Sequence, residues 1–125
     1  MPPTPALKPV EWIGSAREDL RALPDEIQDA FGYALHQAQI GKHHPAAKRL
    51  KGPLGGLIEL VEDFDGDTYR AIYTVKLVGM VYVLHVFQKK STHGIATPKR
   101  EIALVVDRWQ RAKAHYAAHH ERRND

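Results

Sequence analysis

The 125-residue chain predicts a single α+β domain, with two N-terminal helices, an antiparallel β-sheet meander and a C-terminal helix packed on the sheet. Three consecutive runs, LIELVEDF, TYRAIYTVKL and MVYVLHVF, are rich in β-branched and aromatic residues, and only Asp65-Gly66-Asp67 and Val78-Gly79 separate them. Connections that short cannot hold crossover helices, so neighbouring strands run antiparallel. On both sides of these runs, apolar residues recur at helical spacing instead.

Residues 1–8 open the chain as a loose, proline-rich leader without the apolar core of a signal peptide. VEWIG follows as a short alternating segment. Ser15 and Glu18 stand at capping-box spacing and predict a helix over 16–23, which Pro24 ends. Pro24-Asp25-Glu26 suits a second helix N-terminus, and Ile27, Ala30, Phe31, Ala34, Leu35 and Ala38 continue that helix to Gly41. Residues 42–56 read as a basic loop with Pro and Gly punctuation and room for a short turn. After the three strands, Thr97-Pro98 resembles an N-cap with proline at the first helical position, and Ile102, Val105, Val106, Trp109 and Ala112 mark the last helix. The periodicity fades after 113, so 114–125 is expected to fray.

Composition narrows the chemistry. Without cysteine there is no disulfide, thiolate nucleophile or thiolate metal site. No apolar run reaches the roughly 18 residues of a membrane span, and a cytoplasmic protein without a membrane partner is expected. Eighteen Lys and Arg against fifteen Asp and Glu, with pI near 9.2, suit a polyanionic partner. Eight histidines raise the question of metal, but His43-His44 and His119-His120 are adjacent pairs, and the i,i+4 pair His115 and His119 falls in the tail. Neither a metal nor any other cofactor is expected. His85 lies within a strand, and no acid is evident to orient it.

The succession of two helices, RLKG, GLIEL, YRAIY, FQKKS, GIATPKREI and a final helix resembles the HigB-like branch of the RelE/ParE toxin superfamily, many of whose members occur in phage-related genes. The likeness spans about residues 8–113, and its most specific parts are YRAIY and FQKKS…ATPKREI together. It implies a RelE-like fold and the toxin of a type II toxin–antitoxin pair. Such a toxin cleaves messenger RNA on the ribosome through the RNA's own 2′-hydroxyl, without metal, and is silenced by a HigA-like helix-turn-helix antitoxin.

The resemblance assigns Arg70 to the family's strand arginine. Alternation independently turns Arg70 away from Tyr69, Ala71 and Tyr73, onto a face shared with Thr68, Ile72, Thr74 and Lys76 that is expected to be wet. Lys89 and Lys90 complete the cationic set, and pleating directs only one of them to the side of Arg70. His93 is the candidate acid–base group, because imidazole titrates near neutrality. Lys48, Arg49 and Lys51 match family cations that hold phosphates or ribosomal RNA, and Lys76, Ser91 and Thr92 join them as binding candidates. Two other readings compete: a ParE-like gyrase poison, and a nonenzymatic nucleic-acid-binding phage accessory protein.

Overall fold

The computed structural model describes residues 7–89 and 98–123. In chain order the elements are β1 (Val10–Trp12), α1 (Ala16–Arg21), α2 (Asp25–Gln39), β2 (Ala47–Arg49), a 3₁₀ turn (Gly52–Leu54), β3 (Ile58–Phe64), β4 (Asp67–Thr74), β5 (Val81–Lys89) and α3 (Lys99–Arg123). They form an α+β fold around one five-stranded sheet of order β1-β5-β4-β3-β2.

The expected meander forms its centre. Asp65 and Gly66 both adopt positive φ, +52° and +83°, so a two-residue turn joins Phe64 to its partner Asp67 and sets the β3–β4 register. The two edges are additions. β1 pairs parallel to β5, and β2, inside the expected basic loop, pairs antiparallel to β3.

A β-bulge decides which side chains reach which face. Ile72 pairs with His85 and Tyr73 with Val83, which leaves Leu84 without a partner. Leu84 and His85 therefore both turn toward α3, and the alternation beyond them is inverted. Tyr69, Ala71, Tyr73, Val83 and Val86 pack with Ile27, Phe31 and Leu35 of α2. On the other face Ile72, Tyr82 and Leu84 pack with Val105, Trp109 and Ala112 of α3.

Several local expectations change. Ser15 makes no capping bond to the α1 backbone; its Oγ donates to Asp19 Oδ2 at 2.7 Å and accepts from Arg108 Nη2 at 3.1 Å. Lys8, assigned to the leader, donates its N–H to Gln39 O at 3.1 Å and accepts from Gln39 Nε2 at 2.8 Å. Pro98 stands just before the first residue of α3, while Thr97 lies outside the described residues. The expected frayed tail is helical to Arg123, because Tyr116 Oη donates to Val78 O at 2.8 Å and His115 Nδ1 lies 2.8 Å from Tyr82 Oη. Polar docking replaces the lost apolar period there.

Candidate functional site

Arg70 sits on β4 opposite Val61 of β3 and Phe87 of β5. It leaves the Tyr69/Ala71/Tyr73 face as alternation predicts, but the face it joins is not wet. Ile72 and Thr74 on that face are buried, and Arg70 itself keeps only 18% of its side-chain surface. Its Nη1 donates to Glu59 Oε2 at 2.9 Å, and that carboxylate is 8% exposed. A charge-assisted bond at this depth fixes the guanidinium plane. Arg70 Nε is buried and has no hydrogen-bond partner among the described residues.

Glu59 was not anticipated, although a signal for it exists. It is the single acid in the apolar stretch LIELV, and the two-residue Asp65-Gly66 turn puts it opposite Ile72, diagonal to Arg70 on the same face.

Register gathers further residues on this face. Lys48 pairs with Glu59, Ile72 with His85, Arg70 with Phe87 and Thr68 with Lys89. Of the two lysines at the end of β5, Lys89 therefore shares the face of Arg70. Lys90, Ser91, Thr92 and His93 lie outside the described residues.

The other expected binders sit apart. Lys76 lies six residues beyond Arg70, about 20 Å along an extended chain. With His43 and Arg49 it lines a separate cavity of about 360 Å³ walled by Leu50, Leu57 and Val75. Gly56 makes room there for the stem of Lys76: a Cβ on Gly56 would come within 2.9 Å of Lys76 Cδ. Lys51 is exposed just before the 3₁₀ turn.

His85 also differs from expectation, since an acid does orient it. Its Nε2 contacts Glu101 Oε2 in the first turn of α3, and its Nδ1 lies 3.4 Å from Arg108 Nη1. A guanidinium only donates, so Nδ1 is the accepting nitrogen and Nε2 carries the proton toward Glu101. Arg108 also donates to Leu84 O at 2.9 Å. Burial pushes the Arg108 pKa down, and the carboxylates of Asp19, Glu101 and Asp107 oppose that shift. His115 and His119 stack with centroids 3.9 Å apart, and His119 Nδ1 lies 2.9 Å from His115 O.

Residues 18–110 match the profile of the family described as phage derived protein Gp49-like (DUF891). The chain belongs to this Gp49-like family. A search of curated proteins finds no match. Among solved structures, the Gp49-like chain is similar to a chain in the crystal structure of the toxin–antitoxin complex RelBE2 from Mycobacterium tuberculosis. Identity is 23%, the TM-score is 0.49, and the alignment covers 66% of this chain and 99% of that one.

Proposed function

We propose that the chain is a RelE/HigB-like toxin of a type II toxin–antitoxin pair, a metal-independent endoribonuclease that cuts messenger RNA on the ribosome. The observation that carries the reading is Arg70, held in plane by Glu59 on one sheet face with Lys48 and Lys89. The sequence resemblance through YRAIY and FQKKS…ATPKREI, and membership in a phage-derived family, support it.

In this reaction the ribose 2′-oxygen attacks the adjacent phosphorus, the bond to the 5′-oxygen breaks, and a 2′,3′-cyclic phosphate forms. The hydroxyl proton must leave and the 5′-oxygen must gain one. Arg70 and Lys89 stabilise the charge that develops on the phosphorane oxygens, which is the largest contribution fixed cations can make. Glu59 orients Arg70. Lys90 is the alternative to Lys89 in the cationic pair, and His93 is the acid–base candidate because an imidazole can exchange a proton near neutral pH. The ribosome holds the strand for in-line attack, an orientation worth about 7–11 kcal/mol. A HigA-like antitoxin neutralises the toxin in the cytoplasm, where its ribosomal target lies.

Expression of the chain alone is expected to collapse amino-acid incorporation before DNA synthesis falls. Purified protein should cut a defined messenger only on programmed ribosomes, in register with codons, and Arg70→Ala should abolish the cuts. An early block of DNA synthesis with intact messenger would overturn this reading in favour of gyrase poisoning.

A further inference from the structure

We infer that Phe87 is a stacking platform for one nucleobase of a single-stranded RNA whose phosphate lies at Arg70, an inference that rests on the reading above. Phe87 is the direct cross-strand partner of Arg70, and the bulge at Leu84 places both on one face with Lys89. Among the described residues, the first turn of α3 meets β5 at His85, through Glu101. The helix's contacts step from Glu101 on His85, through Arg108 on Leu84, to His115 on Tyr82, so the helix runs back along β5 away from Phe87. Phe87 is half-buried, packed in part against the core on the α3 side and in part open to solvent.

The ring is also held rigid. It stacks on the His85 imidazole with centroids 4.6 Å apart and planes 15° from parallel. His85 is fixed in turn by Glu101 at one nitrogen and Arg108 at the other. Three side chains that make no phosphate contact in the proposed chemistry thus lock one aromatic plane beside the cation assigned to phosphate. An aromatic face set between cations is how proteins hold single-stranded nucleic acid: cations track the backbone and the ring stacks the base. Neighbouring strands lie about 4.8 Å apart, which brings a base attached to a phosphate at Arg70 within reach of the next strand.

The test uses the full chain and a hexaribonucleotide made uncleavable by 2′-O-methylation, with an abasic ribose moved through its six positions. Wild-type protein at low salt should lose about 10-fold in affinity when one position becomes abasic. Phe87→Leu should lose a similar factor on the intact hexamer and little more on that abasic one, while Phe87→Trp should bind the intact hexamer at least as tightly as wild type. A folded Phe87→Leu variant with unchanged affinity would overturn the platform. So would losses that simply add, a wild-type protein indifferent to every abasic position, or one that does not bind the hexamer. Should Phe87→Leu fail to fold, the abasic scan on wild-type protein and on Phe87→Trp decides alone. A chain that cuts messenger on ribosomes but ignores the base keeps the proposed function and loses the platform. One that stacks the base yet cuts nothing does the reverse.

Discussion

Tyr73 and Arg70 sit on opposite faces of β4, and they differ in how far the sequence exposed their circumstances. The direction of the Arg70 side chain was legible, because alternation needs only the chain's own pleat. Its depth was not, because the cover comes from Glu59 and a second core that alternation does not describe. Tyr73 was equally legible as a core residue, yet its hydroxyl is buried with no partner among the described residues. Burial holds its pKa above the usual tyrosine value. Tyr73→Phe removes an unsatisfied oxygen and leaves the ring, so a gain of about 1 kcal/mol is expected in urea denaturation at neutral pH. The folded state keeps this proton more tightly than the unfolded chain, whose tyrosines titrate near about pH 10. The stability contributed is therefore complete below that value and is lost as pH climbs toward the folded pKa. Alkaline unfolding should accordingly begin later in Tyr73→Phe than in wild type, and an unchanged alkaline midpoint would count against this account.

At the scale of elements, the central strands and the two long helices were readable from period, turns and punctuation. β2 was not, and β1 was visible only as the alternating segment VEWIG, because strands of three residues have their pairing settled by distant partners on β3 and β5. The bulge at Leu84 was invisible for a similar reason: it arises between strands. It explains why alternation alone left Lys89 and Lys90 equivalent. Arg108 was also missed, although it stands at the i+3 position of the Val105, Trp109 and Ala112 stripe, where the helical period turns a cation toward the core. It joins three elements, through Leu84 O on β5, Ser15 Oγ at the start of α1, and the turn at Gly14. Gly14 has φ +59°, and a Cβ there would stand 2.8 Å from Arg108 Nε. Gly14→Ala should therefore cost about 1–3 kcal/mol, from left-handed backbone strain and from displacement of a buried hydrogen-bonded guanidinium. Ser15→Ala deletes only hydroxyl contacts and should cost about 1 kcal/mol. Thermal melts of the two variants should rank in that order, and equal losses would mean that Arg108 moves aside freely.

Across the whole molecule, the cations separate into two groups that composition had summed into one excess. Arg70 and Lys89 share a face near the end of β5, while Arg49 and Lys76 line the cavity at the far end of β3. Arg70 has a structural partner in Glu59. Arg49 and Lys76 have no ion-pair partner among the described residues, and no acid is among the residues lining their cavity. Unpaired cations at a distance from a reacting phosphate strengthen association without stabilising the transition state, so under the proposed function the two groups have separable effects. Each phosphate contact on a single strand contributes about 0.7 to the slope of log affinity against log salt. Arg49→Ala combined with Lys76→Ala should therefore lower the salt slope of ribosome association by about 1.4, with little change in the single-turnover rate on saturated, programmed ribosomes. Arg70→Ala should do the opposite, abolishing cleavage while the slope changes by no more than a single contact. A double variant that binds with the wild-type slope but cuts slowly would place Arg49 and Lys76 in the chemistry and dissolve the division between the two ends.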